Sequence, residues 1–197
     1  MRKSISLMMV SVTLFMLGCP AADTKGKPGK GEVKGDAKAS GIAFSGDGSK
    51  IEFTGTKPEG KHNGGFKTFT GSIELAGKEV AKVAVDIDTE SLYSDNPKLT
   101  DHLKNPDFFN VKSNPKASFA STAIVAKDAG HEITGDLTLL GKTKSITFPA
   151  KVEVAADAVK INGEFKIDRT DFGMTFGAGK IDAAVAIKIA VDAARKK

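Results

Sequence analysis

The residue types that carry most enzyme chemistry are sparse in this chain of 197 residues. Its three histidines, His62, His102 and His131, are too scattered to form a ligand pair at metal-site spacing. A Gly-x-Ser-x-Gly nucleophile turn is absent from the sequence. Gly55–Lys61 has the spacing of a phosphate-binding loop, but His62 stands where that loop needs a hydroxyl for Mg²⁺. These patterns predict a protein that is not an enzyme and that binds neither metal nor cofactor.

The charge pattern argues against a nucleic-acid partner. The formal net charge is +5, but residues 42–197 contain 22 Lys and Arg against 21 Asp and Glu. The chain has no tryptophan and one tyrosine, Tyr93. It therefore lacks both the basic face and the stacking aromatic side chains that nucleic-acid binding uses.

The N-terminal residues have the layout of an export signal. Arg2 and Lys3 precede the uncharged stretch Ile5–Leu17, which is too short to span a bilayer as a helix of about 20 residues. Gly18 and then Cys19, the single cysteine of the chain, follow this stretch. One cysteine excludes an intramolecular disulfide.

Met16–Cys19 resembles the bacterial lipobox, whose cysteine is acylated and becomes the mature N-terminus. The resemblance implies a lipoprotein signal peptide over residues 1–18 and a cell-envelope lipoprotein that faces the periplasm and is held to a membrane through acylated Cys19. An ordinary secretory signal with an incidental cysteine is the alternative. Residues 19–41 are rich in Gly, Lys and Ala and predict a flexible tether.

Alternating apolar residues predict an all-β domain over residues 42–194. Because each strand has one apolar face, the sheet must close or fold onto itself. We predict a lipocalin-like antiparallel β-barrel of about eight strands, or nine if Ile42–Phe44 forms one. Inward glycines, Gly55, Gly71, Gly135 and Gly163, favour an open interior. The eight alternating stretches begin at Ile51, Phe69, Val83, Ala117, Ile133, Ile146, Val159 and Ile181.

One short helix is predicted between the strands, at one end of the barrel. Asp95 or Asn96 is suited to cap it, Pro97 occupies its first turn, and Pro106 stops it. The adjacent phenylalanines that follow, Phe108 and Phe109, are predicted to cover the entry end of the interior together with the helix; a fixed plug of the barrel is the alternative.

Six segments resemble the YceI-like polyisoprenoid-binding family. The resemblance extends in order over about residues 42–191 and implies a barrel that holds one long isoprenoid chain, often of a quinone type. The segments are Phe53–Lys57, Gly64–Gly71, Leu99–Phe109, Ala117–Phe119, Ile133–Lys144 and Asp168–Met174.

We therefore predict an exported, membrane-anchored protein whose function is to carry or sequester a polyisoprenoid or similar amphiphilic lipid. A structural or interaction lipoprotein with a side-chain-filled barrel is the alternative, and a homodimer is left open. The predicted ligand-binding residues are Phe53, Phe69, Val83, Val85, Ile87, Leu99, Leu103, Phe108, Phe109, Phe119, Leu137, Leu139, Phe165 and Phe172.

Acylation at Cys19 gives a direct prediction. The wild-type protein should incorporate a fatty-acid analogue supplied to its host, because Cys19 ends the apolar stretch where lipidation requires it. Cys19→Ser should abolish labelling and leave an unprocessed or soluble product. Wild-type protein that carries no label would contradict the lipobox interpretation.

Overall fold

The computed structural model describes residues 41–194, which form eleven strands in one antiparallel sheet and one α-helix. Two short 3₁₀ turns span Thr89–Ser91 and Arg169–Phe172. The helix α1 is Pro97–Lys104, and the strands are β1 Ile42–Ser45, β2 Lys50–Lys57, β3 Gly60–Phe66, β4 Phe69–Ala76, β5 Glu79–Asp88, β6 Leu92–Ser94, β7 Lys116–Lys127, β8 Gly130–Leu139, β9 Lys142–Val154, β10 Ala158–Asp168 and β11 Ala184–Ala194.

The all-β barrel class is confirmed, but the predicted count of about eight strands is wrong for the described residues. The missed β3 contains three glycines and polar residues and therefore lacks the alternation that reveals a half-buried strand. The missed β6 is only three residues long. In addition, β11 begins at Ala184 rather than at Ile181, because the carbonyls of Ile181 and Asp182 accept hydrogen bonds from the Arg169 side chain.

The sheet curls so that its edge strand β1 approaches β11. Its order is β1-β4-β5-β7-β8-β9-β10-β11-β2-β3-β6, with every pairing antiparallel. β4 and β11 run in the same direction, because an even number of antiparallel pairings separates them. β1 is antiparallel to β4 and β2 is antiparallel to β11, so β1 and β2 also run in the same direction. β1 also contacts β11. The pair β1–β2 therefore acts as one bent strand that joins β4 to β11 and closes the curl.

Ser49 links the bend between β1 and β2 to β11. Its side chain is buried, accepts a hydrogen bond from the Asp192 amide at 3.0 Å, and donates to the Asp192 carbonyl at 3.5 Å. A buried amide without an acceptor is costly, so this hydroxyl completes the ladder where β2 begins.

The predicted helix is confirmed at one end of the barrel. The Asn96 side chain accepts from the amides of Lys98 and Leu99, and Pro97 occupies the first turn. Asn105 ends the helix in an extended conformation. The cap and the proline therefore fix where the chain leaves the sheet.

The predicted signal peptide, the acylated Cys19 and most of the tether fall within residues 1–40, outside the described residues. Residues 41–194 contain no helix of the length and apolarity needed to cross a membrane.

Loss of the Ser49 hydroxyl should weaken the closure. We expect Ser49→Ala to lower the free energy of unfolding by about 1–2 kcal/mol, because the Asp192 amide loses its acceptor. Ser45→Ala is the matched control, since the Ser45 hydroxyl hydrogen-bonds only to Asp47 in the exposed turn, and it should cost less than about 0.5 kcal/mol. Equal losses in urea denaturation would show that Ser49 does not hold the closure.

Candidate functional site

The barrel encloses an apolar cavity of about 320 Å³, within the usual range for a small-molecule site. Eight of the eleven strands given above contribute residues to its wall, and its polar or charged lining residues are Thr56, Lys57, His62, His102 and Arg169. The apolar lining residues are Ile51, Phe53, Phe66, Val83, Val85, Ile87, Leu99, Leu103, Phe108, Phe109, Phe119, Ile133, Leu137, Leu139, Ile146, Phe148, Ile161, Phe165, Ile167, Met174, Phe176, Ile181, Val185, Ile187, Ile189 and Val191.

The structure brings twelve of the fourteen predicted ligand-binding residues together on this wall. The two exceptions are buried elsewhere in the core. Phe69 begins β4 beside Gly46 of the β1–β2 bend, and Phe172 lies in the 3₁₀ turn that contacts β9. Both are therefore framework residues that do not line the cavity.

The inward glycines do not all leave open space. A methyl group at Gly135 would overlap the Phe119 ring, and one at Gly71 would overlap the Phe44 ring. These glycines give room to the protein's own aromatic side chains. At Gly55, in contrast, an added methyl group would meet no atom within 4 Å.

Aromatic rings narrow the interior without filling it. Phe148 stacks on Phe165 with ring centroids 4.2 Å apart, and Phe119 lies 5.7 Å from Phe148. These stacked and tilted contacts stabilise part of the wall, since aromatic pairs of this kind contribute beyond their buried area.

The helix and the turn after it cover one end of the cavity. Leu99 and Leu103 of α1 both line it, as their spacing on one helix face predicts. Phe109 packs inward against Phe53 and Phe66, with ring centroids 6.3 and 5.6 Å away. Phe108 instead contacts the rim, so the two adjacent phenylalanines have different surroundings.

The loop 173–183 covers the same end from the opposite side. Its Phe176 is 43% exposed and contacts His102 and Phe108, at centroid distances of 4.9 and 5.3 Å. The Asp182 amide donates to the Thr56 carbonyl at the end of β2. The mouth of the cavity is therefore formed by this loop, α1 and the adjoining ends of β2 and β3.

Arg169 holds the loop in place. Its side chain is 4% exposed and its guanidinium donates to the main-chain carbonyls of Met174, Ile181 and Asp182. Asp168 begins the turn by accepting from the Thr170 hydroxyl and amide, and these bonds lower the pKa of the Asp168 carboxyl. The segment Asp168–Met174 is thus the clasp of the mouth.

Two histidine–aspartate pairs lie at the mouth. His62 Nδ1 is 2.9 Å from Asp95 Oδ1, and His102 Nε2 is 2.9 Å from Asp107 Oδ2. The hydrogen bond from the Asn63 amide, followed by that from His62, lowers the pKa of the Asp95 carboxyl. Asp95 is therefore held ionised as the partner of His62.

A second cavity, of about 420 Å³, is an outer groove over β2, β3 and β11. Glu52, Asp95, Glu164 and Lys188 are among its lining residues. It lacks the apolar wall of the interior cavity. The described residues contain no group of three or more His, Cys, Asp and Glu side chains placed to hold a metal ion.

Sequence patterns alone did not identify several mouth residues. Arg169 lay in a recognised motif, but nothing in its spacing revealed the carbonyls that it contacts. Phe176 lies in a loop without periodicity, and His62 fits neither a phosphate-binding loop nor a metal-ligand pair. The wall residues Ile187 and Ile189 could have been found, since they alternate along β11.

The family model described as the YceI-like domain matches residues 36–193. The chain belongs to the YceI-like family. A UPF0312 protein of Pseudomonas putida strain W619 is 34% identical to this YceI-like chain over 146 residues, covering 68% of the chain and 74% of the relative.

Two solved structures share the fold of this YceI-like chain. BcnA of Burkholderia cenocepacia superposes with a TM-score of 0.70 at 24% identity, covering 76% of the chain and 99% of BcnA. A polyisoprenoid-binding domain of Saccharophagus degradans gives a TM-score of 0.62 at 15% identity, covering 79% of the chain and 99% of that domain.

Disruption of the clasp should loosen the loop 173–183 while the sheet stays folded. We expect Arg169→Lys to increase amide hydrogen exchange in that loop and to cost about 2–3 kcal/mol of stability, because an ammonium cannot reproduce the fork of the guanidinium. Lys180→Ala, an exposed change in the same loop, is the control and should leave exchange elsewhere in the loop unchanged. Unaltered exchange in Arg169→Lys would show that the clasp does not order the loop.

Proposed function

We propose that this protein binds a long-chain lipid of the polyisoprenoid class in its barrel and carries or sequesters it. The observation that supports the proposal most strongly is the cavity, whose wall is apolar apart from a few polar residues at its mouth. Membership of the YceI-like family and the likeness in fold to a polyisoprenoid-binding domain add to it. A polyisoprenoid lipid with a quinone-type head group is one member of the proposed class.

The physics of the cavity suits carriage between apolar environments. Burial of a five-carbon isoprene unit from water gains about 4 kcal/mol, at roughly 0.8 kcal/mol for each buried carbon. Transfer from a membrane gains far less, because the chain is already in hydrocarbon. A barrel of this kind therefore protects the chain from water and still allows its return to a membrane.

A binding role without catalysis is part of the proposal. The five polar or charged lining residues include two histidines, each already bonded to an aspartate, and an arginine engaged with three carbonyls. The lining formed by the described residues contains no serine, cysteine or carboxylate for either histidine–aspartate pair to activate, and its one hydroxyl, that of Thr56, is exposed on the face of β2 opposite Gly55 and His62. The wall therefore supports ligand retention better than bond cleavage.

Membrane attachment through acylated Cys19 and a periplasm-facing location complete the proposal. Two acyl signals suffice for stable attachment, whereas a single chain binds reversibly. A tether between the anchor and the barrel would let the mouth reach the same membrane.

Native mass spectrometry of the protein purified from its own host without detergent tests the proposal. We expect an added mass that organic extraction releases and identifies as an isoprenoid lipid. Val85→Phe should lower the lipid-bound fraction by about tenfold, because the larger side chain takes up part of the cavity that the lipid would occupy.

Ala120→Phe is the matched control, since Ala120 is exposed and follows Phe119, the inward partner of Val85 in the ladder. It should leave the bound fraction unchanged. Protein that carries no lipid, even after incubation with isoprenoid-containing vesicles, would contradict the proposal. The side-chain-filled alternative would then be favoured.

A further inference from the structure

An unfilled space lies beside His62 at the mouth of the cavity. Gly55 of β2 is the direct ladder partner of His62 on β3, so the two positions share a face of the sheet. Both residues line the cavity, and the space where a Gly55 side chain would stand contains no protein atom within 4 Å of the added carbon. A ligand group can therefore lie directly against the imidazole.

The imidazole is held in a fixed orientation. Its Nδ1 lies 2.9 Å from Asp95 Oδ1, while Asp95 Oδ2 accepts from the Asn63 amide at 2.8 Å. A carboxylate accepts hydrogen bonds, so Nδ1 carries the proton in the neutral ring and Nε2 has a free lone pair. Nε2 forms no hydrogen bond with another described residue.

Charges at the mouth favour a neutral ligand group over an anionic one. Lys57 lies 3.9 Å from Glu59, and Arg169 is engaged with carbonyls of the loop. Both cations that line the mouth thus already have partners, and Asp95 and Asp107 lie beside His62 and His102. An added anion would have to compete with these partners for the cations, whereas a neutral group needs only a hydrogen bond.

We propose that the space between Gly55 and His62 is a head-group subsite that binds the hydroxyl of a neutral long-chain alcohol, with the His62 Nε2 lone pair accepting its hydrogen bond. Lys57, two positions beyond Gly55 on the same face of β2, also lines the cavity and is placed to donate to the hydroxyl oxygen. This inference rests on the proposed lipid-binding function and specifies the head group of the lipid.

Three probes with the same prenyl chain test the subsite: farnesol, farnesyl diphosphate and the hydrocarbon farnesene. Their affinities for the delipidated protein are measured by displacement of a fluorescent prenyl analogue. We expect farnesol to bind about tenfold more tightly than farnesene, the size of one good hydrogen bond, and more tightly than the diphosphate.

His62→Phe keeps a planar ring and removes the acceptor. It should bring the farnesol affinity to within about twofold of the farnesene affinity while the farnesene affinity stays unchanged. His131→Phe is the matched control, because His131 does not line the cavity, and it should keep the preference. Gly55→Leu, which fills the space by a change on the neighbouring strand, should weaken farnesol more than farnesene.

The outcomes separate the subsite from lipid binding in general. Equal wild-type affinities for farnesol and farnesene, or tighter binding of the diphosphate, would overturn the subsite and leave the lipid-binding proposal intact. Equal weakening of both neutral probes in His62→Phe and Gly55→Leu would show that these residues only shape the mouth, which also overturns it. Failure of all three probes to bind would overturn both proposals.

Discussion

The register of the antiparallel ladder is the constraint on which the cavity depends. Val85, Phe119 and Leu137 lie opposite one another on three successive strands, and Phe53, Ile187 and Phe165 form a second row. Because side chains alternate between faces, a shift of one residue would turn a whole strand's apolar set toward water. The cavity wall, the core and the outer polar face are therefore fixed together by the same hydrogen bonds.

Alternation made much of the fold predictable, and its absence explains what was missed. Strands such as β5 and β10 carry an apolar residue at every second position, so their inward faces could be assigned from sequence. β3 contains adjacent glycines because the Phe53 ring and the Tyr93 backbone approach Gly64 closely, and this close packing removes the pattern. The helix could be located because its cap and proline act locally, within a few residues.

The site was predictable in its wall but not in its mouth. Wall positions follow from strand periodicity, whereas Phe176 and Arg169 acquire their places through contacts across the fold. The same distinction explains the glycines. Sequence alone shows that Gly135 and Gly55 lack side chains, but only the tertiary arrangement shows that the Phe119 ring covers the first and that the second faces open space.

The clasp around Arg169 has a consequence for the conditions under which the mouth keeps its shape. A guanidinium remains protonated throughout the range in which proteins operate, and main-chain carbonyls do not titrate. The hydrogen-bond partners of the Arg169 guanidinium among the described residues are main-chain carbonyls, so acidification removes neither the donor nor the acceptors. Acid strong enough to protonate Asp95, whose pKa is lowered, would therefore alter the polar rim beside His62 while the Arg169 contacts with the loop persist. The loop that shapes the mouth and the polar side chains on its rim can therefore respond independently to a change in pH.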